Sequence, residues 1–136
     1  MQKNEAIPSQ EYPLLTLLAK SWNQLQVDII APVLHKEVSY STPWLGYTIC
    51  GASNYISYLT EKFAAIRGTD GKTITKARMA YLEGSPVEHC VLLTQITGSE
   101  IRQLLFFIQV KHNQIIRIYA SEPDSYSQLK MTGVYP

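Results

Sequence analysis

The chain has 136 residues, twelve of them Lys or Arg and eleven Asp or Glu, for a formal charge of +1. That length suits one domain burying roughly two thirds of the surface its unfolded chain exposes, so the core needs no disulfide or metal to hold it. The bases are scattered, with Lys72, Lys76 and Arg78 the nearest to a cluster, and this excludes the basic, aromatic-lined stripe that a nucleic-acid partner requires.

Residues 1–12 are polar and carry Pro8, which predicts a flexible leader before a single domain over 13–136. The apolar run "LLTLLA" is far too short to span a bilayer, so no membrane partner is expected. Leu14, Leu15, Leu17, Leu18, Trp22 and Leu25 recur at steps of three and four, which predicts a helix from Pro13 to Leu25 with one apolar face. A second helical piece is expected over "VDIIAPVL", bent at Pro32 and closed by His35 to Glu37, with a strand from Val38 to Thr42.

The stretch "SYSTPWLGYTICG" then places Trp44 and Tyr47 on a loop. Large amphipathic rings on a loop suit either a lid over a cavity or a contact with another chain. After it, "ASNYISYLTEKFAAIRG" reads as a helix capped by Ser53 or Asn54 and stopped by Gly68, with Ile56, Leu59, Phe63 and Ile66 on one face. Four strands follow, "KTITKARMAYLE", "EHCVLLTQIT", "RQLLFFIQVK" and "QIIRIYAS", separated by short turns. Helices first and consecutive antiparallel strands afterwards define an α+β class, with the helices packed on one face of a curved sheet.

This order, with "W-N" late in the first helix, "VLHKEVSYSTP" leading into the first strand and Gly51 opening the next helix, resembles the nuclear transport factor 2-like superfamily. That superfamily includes ketosteroid isomerases, polyketide cyclases and binding-only domains. The resemblance covers Leu14 to Ser121, and it implies a cone-shaped, curved antiparallel sheet with the N-terminal helices packed on its concave face and a cavity inside the cone. It also allows a position-by-position comparison with the isomerases. Thr42 precedes Pro43 where the isomerase has its aspartate base, and a neutral hydroxyl cannot remove a carbon-bound proton. Leu18, Leu59 and Phe106 fall where the isomerase places hydrogen-bond donors to the oxyanion, and none of the three can donate.

The resemblance implies that Leu18, Trp22, Tyr40, Thr42, Tyr55, Tyr58, Leu59, Phe106, Ile108, Ile116 and Ile118 face the cavity, with Trp44 and Tyr47 at its mouth. Trp22, Tyr55 and Tyr58 suit core packing as well as ligand contact. Other candidates are weaker. Alternation separates His89 from Glu88 and Cys90. His35 and His112 sit at a helix end and a turn. Asp28, Glu37, Glu61, Glu83 and Glu100 form no acid–base pair. Cys50 and Cys90 show neither the CxxC spacing nor the histidines of a zinc site. No catalytic residue, metal or cofactor is assigned, and a reducing, cytoplasmic location is expected.

Three functions remain: binding of an apolar or aromatic small molecule, a dimeric interaction or scaffold module with a side-chain-filled interior, and an isomerase- or cyclase-type enzyme using Thr42, His89 or Tyr40. For the partner surface, strand alternation sends Leu105, Phe107, Ile115 and Tyr119 to the outer face of the sheet, with Gln109 and Arg117. This predicts a homodimer through that face.

Overall fold

The computed structural model describes residues 11–84, 87–126 and 128–136. Helix α1 spans Glu11–Gln24 and buries Leu14, Leu15, Leu18, Ala19, Ser21 and Trp22. Pro13 lies in its first turn, where no intrahelical bond is owed by its nitrogen. The helix begins two residues inside the expected leader, whose remaining residues lie outside those described. Arg67 donates to the Leu25 carbonyl just past the end of α1.

The helical piece expected over 27–34 is instead two single 3-10 turns, Val27–Ile29 and Ala31–Val33. Pro32 has no N–H for an α-helical bond, and the β-branched residues around it disfavour one. Strand β1 therefore starts earlier than expected, spanning Leu34–Ser41, with Leu34, Val38 and Tyr40 buried. The short strand β2, Ile49–Cys50, pairs with β1. Gly51 then turns the chain into helix α2, Ala52–Arg67, at φ +94, a conformation that a side chain would strain. Its N–H donates to the Val38 carbonyl at 2.7 Å. The expected caps do not act as such: Asn54 instead donates its side-chain amide back to the Cys50 carbonyl at 2.9 Å.

Strands β3 (Thr73–Leu82), β4 (Glu88–Thr97), β5 (Glu100–Lys111) and β6 (Gln114–Ser121) follow within a residue or two of their sequence-read limits, and β7 (Leu129–Met131) ends the sheet. The sheet order is β2-β1-β6-β5-β4-β3-β7, all antiparallel except the β1–β6 pair. Both helices pack on the inner face. Asn23 ties α1 to β3 by accepting from the Ala77 N–H at 2.7 Å and donating to the Ala77 carbonyl at 2.9 Å. Its amide thus fills the place of a neighbouring strand along part of the β3 edge.

The outer face departs from expectation. A bulge lies between Gln109 and Val110: Gln109 pairs with Arg117, Val110 with Ile115, and Ile116 is the extra residue. Ile115 consequently joins the inner core, fully buried, and not the outer patch. Ile116 is half-buried and does not take the cavity-facing place read for it. Leu105 and Phe107 do face outward, yet they are buried within the chain in a second cluster with Ala80, Cys90 and Leu92. Past β6 the chain makes a 3-10 turn at Pro123–Ser125 and crosses this face, laying Tyr126 and Leu129 against the cluster before pairing as β7 beside β3. Tyr119, half-buried, stacks on Phe107 at 5.4 Å. The patch read as a dimer surface is therefore largely covered by the chain's own C-terminal segment.

Burial in that cluster, followed by the nearby Glu88 charge, pushes the Cys90 thiol up to about 12. Cys50 is exposed. Alkylation of the native protein at mildly alkaline pH should label Cys50 alone, and labelling in denaturant should reach both. Equal labelling of both in the native state would show that the outer cluster is open.

Candidate functional site

The residues read as cavity-facing are brought together by α1, α2, β1, β5 and β6. Trp22 meets Phe63 edge-on at 5.0 Å and lies 5.9 Å from Phe106. Tyr40 lies 4.9 Å from Tyr55, 5.5 Å from Tyr58 and 6.3 Å from Phe106. Leu18, Leu59, Ile108 and Ile118 complete the same core. All are buried apart from Tyr58, which is half-buried.

Polar atoms in this interior are few. The Trp22 Nε1 and Tyr55 hydroxyl are buried without a hydrogen-bond partner. The Tyr40 hydroxyl has Thr42 and Tyr58 as hydrogen-bonding neighbours, and burial, with the nearby Tyr55 and Tyr58, raises it well above its ordinary value. Burial, then Tyr58, raises Tyr55 strongly from 10.0. An unfolded tyrosine loses its proton near 10, whereas these two keep theirs in the native state above that point. Their contribution to stability is thus complete below pH ~10 and is lost as pH rises beyond it, because the unfolded chain then binds fewer protons. Urea melts across that range should show stability falling with pH, less steeply for Tyr55→Phe. An unchanged slope in that variant would place Tyr55 in water.

Thr42 is buried and holds the start of the loop: its Oγ1 accepts from the Trp44 N–H at 3.3 Å and its carbonyl from the Leu45 N–H at 3.1 Å. This turn presents Trp44, half-buried, with the Arg102 guanidinium 4.2 Å above its ring. Tyr47 is 64% exposed. Two clefts open beside these rings. One of about 420 Å³ is lined by Trp44, Ile101, Arg102, Gln103 and the Glu122–Asp124 turn. The other, of about 360 Å³, is lined by Tyr47, Ile49, Cys50, Asn54, Tyr58 and Glu61.

The sequence-read residues therefore divide. Trp44, Tyr47 and Tyr58 line these open clefts on the rim, while Leu18, Trp22, Tyr40, Tyr55, Phe106, Ile108 and Ile118 line neither of the two and form a packed floor. His89 packs edge-on against Tyr12 at 5.0 Å and near Tyr81 at 6.2 Å, apart from Tyr40 and Thr42. Sequence reading missed Arg102 and Lys62 at the rim. The signal for Arg102 was its place two residues before Leu104 and four before Phe106, a cation on the inward face of β5.

No protein-family profile matches the sequence, and no curated protein matches it. Solved structures do. A ketosteroid isomerase-like protein from Kribbella flavida superposes with a TM-score of 0.59 at 17% identity, over 86% of this chain and 82% of the other. An NTF2-like protein of unknown function from Cytophaga hutchinsonii gives 0.58 at 9% identity, over 82% and 88%. An epoxide hydrolase from M. tuberculosis, of the LEH-like kind, gives 0.58 at 10% identity, over 85% and 86%. The chain has the nuclear transport factor 2-like fold. No helix of the described residues is long and apolar enough to cross a membrane.

Proposed function

We propose that this chain binds an apolar or aromatic small molecule at the rim of its cone, with no catalytic residue assigned to it. One observation carries the reading: among the residues that the resemblance places at the cavity or its mouth, the aromatic rings left accessible, Trp44, Tyr47 and Tyr58, border clefts of about 420 and 360 Å³. These volumes lie in the range of small-molecule sites, roughly 300 to 1,000 Å³. The solved relatives of this fold include proteins named for catalysis on small molecules, which supports a ligand. Apolar Leu18, Leu59 and Phe106 at the isomerase donor positions, and Thr42 in place of the base, argue against isomerase chemistry. The free Cys50 and Cys90 support a reducing, cytoplasmic location.

The test is a set of single variants, Trp44→Ala, Tyr47→Ala and Tyr58→Ala, assayed for melting temperature, sedimentation mass and retention of a co-purified or screened ligand. Rim residues that bind ligand should lose it while mass is kept and Trp44→Ala and Tyr47→Ala melt as the parent does. Retention of ligand by all three variants would reject the reading.

A second reading is favoured by the packed floor: an interaction or scaffold module whose interior is filled by its own side chains. Trp44 and Tyr47 would then contact another chain, since the outer face is covered by Tyr126 and Leu129. Under it the same variants should lose mass, and no ligand should be found.

A further inference from the structure

We propose that the rim carries an anion site, formed by Lys62, Arg102 and Gln95 beside Trp44, that takes the carboxylate of an aromatic or apolar acid. This rests on the rim-binding reading and names the class of its ligand.

The three side chains come from different elements, with Lys62 and Gln95 bordering one cleft and Arg102 and Trp44 another. Lys62 stands one helical turn beyond Tyr58 on α2, so the two share a face. Gln95 on β4 is the cross-strand partner of Arg102 on β5. Both lie on the inner face, in line with the buried Leu93 and Leu104. Lys62 and Gln95 line a cleft of about 170 Å³ together with Ala65, Ile66, Thr69 and Thr73. None of these is acidic, whereas the Trp44 cleft, which Arg102 also lines, includes Glu122 and Asp124. A carboxylate is therefore directed to the Lys62 side.

Each group is set up to donate. The Gln95 Oε1 is buried with no partner, and turning that amide over would present its NH2 to an incoming anion. The Arg102 guanidinium carbon lies 4.2 Å from the centroid of the Trp44 ring, and a guanidinium can offer two parallel N–H bonds to a carboxylate. Lys62 is half-buried, and burial first, then the charge of Arg102, a second cation, lower its proton affinity. A like-charge pair removed from water is costly until an anion lies between its members. The Thr69 and Thr73 hydroxyls are already engaged, with the Ile66 carbonyl and Thr97 respectively, so the recognition falls to the cations and the amide.

The test compares naphthoate with naphthamide, a neutral molecule of nearly the same shape, by calorimetric titration of the full chain and of Lys62→Gln, Arg102→Gln and Lys62→Arg. Naphthoate should bind about tenfold or more tighter than naphthamide, the scale of a charge-assisted hydrogen bond. Each Gln variant should close that gap with little effect on naphthamide, and Lys62→Arg should keep it. Equal affinity for both probes would overturn the anion site while leaving rim binding intact. A naphthoate preference that survives both Gln substitutions would overturn it too. Binding of neither probe would overturn the anion site and rim binding together.

Discussion

Trp22→Ala should lower the free energy of unfolding by about 3 to 5 kcal/mol, the usual cost of truncating a fully buried aromatic. Trp22 is enclosed by Phe63 and Phe106, and its neighbours in sequence are fixed by bonds to β3: the Thr75 hydroxyl donates to the Trp22 carbonyl at 3.1 Å, and Asn23 pairs with Ala77. With the helix tied to β3 at Trp22 and Asn23, it cannot settle freely into the void, which keeps the cost high. Trp22→Phe should cost less, because it leaves a smaller cavity and also removes an indole N–H that has no partner. Urea unfolding of both variants checks the order. A Trp22→Ala protein as stable as the parent would mean that this floor is not packed.

Phe107→Glu should destabilise the monomer by about 3 kcal/mol or more, because it places an unpaired carboxylate in an apolar cluster. Phe107 is only 3% exposed, stacked on Tyr119 and 5.8 Å from Tyr126, in a cluster with Ala80, Cys90, Leu92 and Leu105. Tyr119→Glu, at a half-buried position with Arg117 over its ring at 4.5 Å, should be tolerated far better. Melting curves and sedimentation distinguish the outcomes. A Phe107→Glu protein that melts like the parent but has half its mass would restore the outer face as a dimer surface.

These two residues also show what the sequence could and could not convey. Period-two alternation placed β3 to β6 because each strand has one face on a continuous core, and the three- and four-residue spacing in α1 and α2 follows from the same burial. The bulge at Ile116 was not legible, because a single extra residue leaves the local pattern of "QIIRIYAS" equally apolar while it turns Ile115 inward. Nor was the cover over Phe107: Tyr126 and Leu129 carry no periodicity, and strands of two or three residues such as β2 and β7 are too short to produce any. At the candidate site, the aromatic floor was legible from the resemblance and from helix faces. That the floor would be closed, leaving only Trp44, Tyr47 and Tyr58 beside clefts, depends on how side-chain volumes fill the cone, which no linear pattern encodes. Lys62 was passed over because a lysine on a helix ordinarily faces water, and only the approach of Arg102 sets it apart.

The chain has two tryptophans, one on the floor and one on the rim, so their indole N–H resonances report separately on the two places where a ligand could sit. Titrating the nitrogen-labelled protein with naphthoate and naphthamide and following both resonances tests rim binding most directly. Rim binding predicts a saturable shift of the Trp44 signal with that of Trp22 unmoved. A shift of the Trp22 signal with Trp44 unmoved, or no shift of either, would contradict it.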